Sequence, residues 1–185
     1  MGWERTYKAL EGILPNDYPY LTDTDINGVK ILKYNFFSDD RGKIWSTYIE
    51  KELIDFGYQP FTHDKFSVSK KNVLRGIHYD NKTFKLVTVI HGDIDQVVVD
   101  MRKESKTYKK SLIFELNADS MQSILLPPMV GNAFRVKSDN AIYHYKLAYK
   151  GEYLDVDEQY TLKWNDPSLK INWRIDNPIL SKRDS

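Results

Sequence analysis

From about residue 29 onward, apolar and polar positions alternate in short runs separated by turn residues. A period of two is that of a strand with one buried face. Runs rich in Val, Ile, Phe and Tyr predict strands at 63–69, 73–78, 84–91, 94–101, 111–116, 123–126, 133–136, 141–149 and 160–164. They recur about every ten residues and are separated by Lys71-Asn72, Asn81-Lys82, Gly92-Asp93, Asn117-Ala-Asp119, Pro127-Pro128 and Asp139-Asn140. Before them, Val29 to Phe37 and Lys43 to Tyr48 read as strands joined through the turn Ser38-Asp-Asp-Arg-Gly42. One helix is predicted over Glu50 to Phe56, with Gly57 placed to end it. This spacing predicts an all-β sandwich or barrel rather than a βαβ sheet, and the mouth of a small barrel makes a pocket lined by alternate residues of several strands.

Residues 1–28 break the pattern, being mixed and rich in turn residues (Pro15-Asn-Asp17, Pro19, Asp23-Thr-Asp25, Asn27-Gly28). They read as an N-terminal extension with one short helix near Tyr7 to Leu14, which leaves 29–185 as a single domain. No internal repeat or low-complexity tract divides it.

Composition narrows the picture. An apolar fraction of 41% with 13 tyrosines suits a β-rich globular domain. The formal net charge of +1 gives no basic field of the kind that draws a protein to nucleic acid. Cysteine is absent, which excludes disulfides, thiol nucleophiles and Cys-based metal sites. No apolar run is long enough to span a membrane and no signal-peptide pattern opens the chain, so a soluble cytoplasmic protein is expected.

The chemistry concentrates in Asn72-Val-Leu-Arg-Gly-Ile-His78 and Lys85-Leu-Val-Thr88, on two successive strands. Arg75 could hold an anion, His78 take a proton and Lys85 stabilise charge on an oxygen. Each has an ordinary alternative. A single histidine in a strand is commonly a packed or surface residue, and a lysine in an alternating strand commonly faces water. Strict alternation also puts Arg75 and His78 on opposite faces, so one pocket can receive both only if the strand bulges or bends at Gly76. On the aromatic strand Ile142 to Tyr149, the side chains of Tyr143, Tyr145, Leu147 and Tyr149 share a face, either for packing or to offer a phenol as a general acid. Arg41 lies in a turn that is either simply a hairpin or a phosphate-gripping guanidinium. The histidines, His63, His78, His91 and His144, form no His-x-His pair, so no metal is expected.

Taken together, the segments Asp40-Arg-Gly42, Ser69 to His78, Lys85-Leu-Val87, Val97 to Ser105, Leu126-Pro-Pro128, Tyr145-Lys146, Trp164-Asn-Asp166 and Leu180-Ser-Lys-Arg-Asp184 resemble the nucleotide-sugar 3,5-epimerases of the dTDP-4-keto-6-deoxyglucose epimerase type. The resemblance implies a cupin (jelly-roll) β-barrel with short peripheral helices and a cofactor-independent epimerase. It implies that His78 is the base, oriented by Asp184, that Tyr145 is the acid on the opposite face, that Lys85 stabilises an enolate, and that Arg75 and Arg41 bind the diphosphate. It also implies a homodimer with exchanged N-terminal strands, in which Arg41 would serve the partner's site.

Departures from the family pattern refine the expectation. The loop Pro128-Met-Val-Gly-Asn-Ala-Phe134 carries Asn132 where the family has histidine, and Gln96 replaces the aspartate on the facing strand. Both are amides that can still hydrogen-bond. Ser46 stands for a glutamate that helps hold thymine, and His63-Asp-Lys65 stands for Gln-Asp-Asn, which makes His63, Lys65 and Asn132 candidate substrate contacts. With Leu147 to Tyr153, these changes resemble the branch acting on GDP-4-keto-6-deoxy-heptoses in capsule synthesis, so a GDP-linked substrate is expected ahead of a dTDP-linked one. The alternatives are a dTDP-4-dehydrorhamnose 3,5-epimerase, epimerisation at C3 alone, a noncatalytic nucleotide-sugar-binding cupin, and a metal-dependent cupin oxygenase.

Overall fold

The computed structural model describes residues 20–153 and 155–185. The helix expected near Tyr7 to Leu14 lies outside them. The strands are β1 (Tyr20–Asp23), β2 (Lys30–Lys33), β3 (Phe37–Asp39), β4 (Gly42–Ile44), β5 (His63–Lys70), β6 (Leu74–Tyr79), β7 (Phe84–His91), β8 (Asp93–Asp100), β9 (Ser111–Asn117), β10 (Gln122–Leu126), β11 (Val130–Val136), β12 (Asn140–Ala148) and β13 (Tyr160–Thr161), with one short helix, α1 (Glu50–Asp55).

Two antiparallel sheets face each other. The larger has the order β1-β2-β10-β7-β12-β5 and the smaller β13-β6-β11-β8-β9, while β3 and β4 form a separate hairpin. This is the jelly-roll arrangement that the resemblance implies. Between the sheets, one apolar face from each strand makes the core, with Val87 and Val89 of β7, Tyr143 of β12, Ile124 and Leu126 of β10, and Val98, Phe134 and Ile94 from the opposing sheet. Phe134 stacks on Tyr143 with ring centroids 4.3 Å apart.

Neither outer face is left wholly to water. On the larger sheet, α1 and its flanks (Leu53, Phe61, Tyr34) cover Leu86, Leu125 and Ala148. On the smaller, Leu169 and Trp173 of the segment after β13 cover Leu74, Ile77, Val97 and Val99. Strands buried on both faces lose their alternation, which is why β8 reads Ile-Asp-Gln-Val-Val-Val with no polar period. The core fills one end of the sandwich. At the other end, the inward positions turn polar and leave a cleft.

Three boundaries differ from expectation. The run read as Val29 to Phe37 splits into β2 and β3, the return strand stops at Ile44, and β13 is only Tyr160–Thr161. Asp39 explains the short hairpin: it accepts from the Arg41 backbone N–H at 2.9 Å and clamps a tight turn that has no sheet beside it. The larger sheet also extends back to Tyr20, inside the stretch read as an extension, and pairs Tyr20–Asp23 with Lys33–Lys30.

Candidate active site

The cleft between the sheets has a volume of about 240 Å³, and Lys65, Arg75, His78, Lys85, Asn132, Tyr145 and Asp184 are among its lining residues. Seven of the nine side chains singled out in the sequence therefore meet in one place.

β6 supplies Arg75 and His78. Opposite β11 its register slips: His78 is level with Asn132 but Arg75 is level with Phe134, so two residues, Gly76 and Ile77, face the single Ala133. This bulge turns Arg75 to the same cavity as His78. Gly76 makes it possible: its φ is +115°, and a Cβ there would lie 2.6 Å from both the Ala133 Cβ and the Asn132 carbonyl oxygen. Arg75 is steadied by its Nε donating to Ser69 Oγ at 2.9 Å.

His78 Nε2 lies 2.6 Å from Asp184 Oδ1. Asp184 reaches it because Ile179 bridges to Val73, just ahead of β6, and exchanges backbone hydrogen bonds with Asn72 and Leu74 (2.8 and 3.1 Å), which fixes the segment carrying Ser181 and Asp184. Ser181 Oγ donates to the other carboxylate oxygen at 2.8 Å. Burial alone would raise the Asp184 pKa, but the His78 and Ser181 hydrogen bonds and the Gly76 N–H hold it below the usual carboxylate value. An ionised carboxylate only accepts, so Nε2 carries the imidazole proton and Nδ1 keeps its lone pair.

Lys85 of β7 is the side chain for which the inward alternative holds. It is 4% exposed, and its Nζ lies 3.3 Å from Asp80 Oδ2. Burial holds its pKa below the ordinary lysine value, against the upward pull of the Asp80 charge. Asp80 is itself fixed through Oδ1, which accepts from the Thr83 and Lys82 backbone N–H groups at 2.6 and 3.1 Å. Tyr145 of β12, the strand beside β7, faces inward from the sheet opposite His78 and packs edge-on against Tyr143 with centroids 4.6 Å apart. Burial pushes its phenol up to about 12, against the pull of Ser67 and of the Arg75 charge. The alternation read on this strand holds, since His144 and Lys146 sit on the outer face, both within 3 Å of Asp64 (2.6 and 2.8 Å).

Two candidates stand apart. Arg41 is on the β3–β4 hairpin, its side chain 86% exposed and paired with Asp39, and it does not line the cleft of its own chain. His63 sits one layer behind the wall, with Nδ1 3.1 Å from the Tyr149 hydroxyl and its ring 5.1 Å from that of Tyr153, which does line the cleft. Lys65 ion-pairs with Asp155 at the cleft wall. Tyr153, Asp155 and Arg183 are lining residues that the sequence reading passed over. Arg183 lies next to Asp184 in a quoted segment and carried its own signal. The other two lie in an irregular stretch after β12 with no period to mark it. Among the described residues, no three His, Asp or Glu side chains gather as metal ligands would.

A family model described as dTDP-4-dehydrorhamnose 3,5-epimerase matches residues 23–185. The chain is 34% identical to the dTDP-4-dehydrorhamnose 3,5-epimerase of Shigella flexneri over 167 residues, covering 87% of this chain and 90% of that protein. It is 33% identical to that of Neisseria gonorrhoeae, covering 89% of this chain, and spans 50% of that relative's length. The solved structure of the Bacillus anthracis enzyme, with TDP and PPi bound, superposes with a TM-score of 0.83 at 32% identity, covering 90% of this chain and 96% of that one. Sequence and fold thus agree, and the chain belongs to the dTDP-4-dehydrorhamnose 3,5-epimerase family of cupin-fold, sugar-nucleotide isomerases.

Proposed function

We propose that the protein epimerises a nucleotide-diphospho-4-keto-6-deoxy sugar without a cofactor, and that the substrate is dTDP-linked. The observation that carries the chemistry is His78 on one sheet, paired with Asp184 of the C-terminal segment, with Tyr145 on the facing sheet and Lys85 buried in the same cleft. A ketone acidifies the C–H bonds on either side of it. His78 Nδ1 takes one of these protons. The electron pair moves onto the carbonyl oxygen, where the Lys85 ammonium stabilises it, an effect of about 3 kcal/mol by comparison with an oxyanion-hole donor. Tyr145, neutral across the physiological range, returns a proton to the opposite face of the carbon and inverts it. Arg75 and Arg183 give the cleft the positive charge a diphosphate needs.

The GDP-heptose expectation rested on Ser46, Lys65 and the amide pair. Against it, the relatives are named for dTDP sugars, and Lys65 is engaged by Asp155. The test is NMR in D2O with dTDP- and GDP-linked 4-keto-6-deoxy sugars, a GDP-heptose included. Deuterium at C3 and C5 of the dTDP sugar, lost in His78→Asn, is the expected result. Label at C3 alone would make the protein a monoepimerase, and faster exchange into the GDP sugar would reinstate the heptose reading. Tight binding with no exchange would leave a binding protein.

A further inference from the structure

The amide pair Gln96 and Asn132 does more than fill the places of two ionisable residues. Gln96 is fully buried and Asn132 is 7% exposed. Gln96 Nε2 donates to the Val97 carbonyl oxygen at 3.1 Å and to Asn132 Oδ1 at 2.7 Å, and its Oε1 accepts from the Tyr143 hydroxyl at 2.5 Å. A backbone carbonyl can only accept, so Val97 fixes which end of the Gln96 amide is the NH2. That NH2 faces Asn132, so Asn132 must present its oxygen. The Tyr143 hydroxyl has one proton and gives it to Gln96 Oε1, which holds the Gln96 amide in this sense from its other end; its oxygen lies a further 3.2 Å from Asn132 Oδ1. The Asn132 NH2 is left over. Asn132 lines the cleft level with His78, and among the described residues its Nδ2 donates to no group.

We propose that Tyr143 and Gln96 are positioning residues that lock the Asn132 amide with Nδ2–H towards the substrate, as a second donor beside Lys85 to the oxygen that turns negative when His78 takes its proton. This rests on the reaction proposed above. A sugar hydroxyl both donates and accepts, so it would be served by either end of the amide and would not require the sense to be fixed. A carbonyl or enolate oxygen has no proton to give and is served by one end only. Asn132 is also neutral at every working pH, so its donation does not depend on a proton that could be lost.

The test uses the intact protein and two readouts. In side-chain 15N–1H spectra of the wild type, the Gln96 NH2 is expected to be protected from solvent exchange and the Asn132 NH2 to exchange quickly. The reverse order overturns the lock whatever the protein's activity. In the D2O exchange assay, Asn132→Asp removes the donor at constant size and should lower kcat about 100-fold or more with little change in KM. Gln96→Leu and Tyr143→Phe, checked for folding by thermal melts, should give smaller losses in kcat, and Tyr143→Phe, which keeps both amides, should narrow the difference in protection between them. Wild-type kcat in Asn132→Asp, or a loss confined to KM, overturns the assignment to the oxyanion. A wild type that exchanges no sugar-nucleotide proton overturns the reaction itself, and the NMR order still decides the sense of the amides.

Discussion

At the scale of single residues, the site is governed by which atom holds a proton. Asp184 keeps the His78 proton on Nε2, so replacing it with asparagine turns an acceptor into a group that can donate there. The imidazole proton would move to Nδ1, the nitrogen that must act as base. Asp184→Asn is therefore expected to lower kcat by about 10³–10⁴, with nucleotide binding retained in a titration with dTDP, which has no sugar to react. Tyr145→Phe separates the two halves of the reaction: proton loss at His78 survives, whereas return from the opposite face does not. Deuterium exchange should fall less than inversion when both are followed in one NMR sample, and equal falls would remove Tyr145 from its role.

At the scale of elements, the β6 bulge builds the site, and away from it the loop after β8 is held by a buried carboxylate. Gly76→Ala places a methyl group 2.6 Å from Ala133 Cβ at a φ no alanine favours. We expect it to cost about 1–3 kcal/mol in a denaturant melt and to abolish activity, since the bulge cannot form around it. The loop depends on Asp100, which is buried and accepts from Arg102 Nε at 2.8 Å, Ser105 Oγ at 2.5 Å and Thr107 Oγ1 at 2.6 Å. Burial would raise its pKa, but these donors hold it down to about 2. A lowered carboxylate stabilises the fold above its unfolded value of 3.8 and stops doing so as the pH falls through its folded value. In an acid titration between about pH 4 and 2, Asp100→Asn should therefore lose about 2 kcal/mol less stability than the wild type does.

These elements also mark how far the sequence could be read. Of the strands from His63 to Ala148, β5 and β9 were legible by alternation, since one face meets the core and the other a polar or thinly covered surface, whereas β7, β8 and β11, buried on both faces, were legible as short apolar runs between turn residues. The bulge was legible as a requirement, since Arg75 and His78 could not otherwise share a cavity. The inward turn of Lys85 was not, because a charge surrounded by apolar neighbours looks the same from either face and only the buried Asp80 decides it. Tyr153 and Asp155 escaped because they enter the cleft from irregular backbone, where side-chain direction has no period.

At the scale of the whole molecule, the cleft of one chain is furnished without Arg41. Among the described residues, the β3–β4 hairpin that carries it pairs with no other strand, and Ile44 on it is 70% exposed. Phe66 and Val68, on the outer face of β5, are 60% and 68% exposed. We infer a homodimer in which these surfaces are covered and Arg41 completes the partner's site. Co-expression tests it directly. Chains carrying only Arg41→Ala and chains carrying only His78→Asn should each be inactive, yet together should form mixed dimers with one intact site and recover activity. No recovery from mixed dimers isolated by paired affinity tags would place Arg41 in the service of its own chain or of none.

The order of strands in the two sheets sets a clock as well as a shape. β2 lies beside β10 and β5 beside β12, so neighbours in the larger sheet come from opposite ends of the described chain. Such pairings cannot start until the intervening loop has closed, which puts all-β domains in the millisecond-to-second range. His78, Lys85, Tyr145 and Asp184 are drawn from both sheets and from the segment that follows them. During refolding the return of proton exchange should therefore trail the return of β-sheet ellipticity, which makes catalysis a late reporter of the finished architecture.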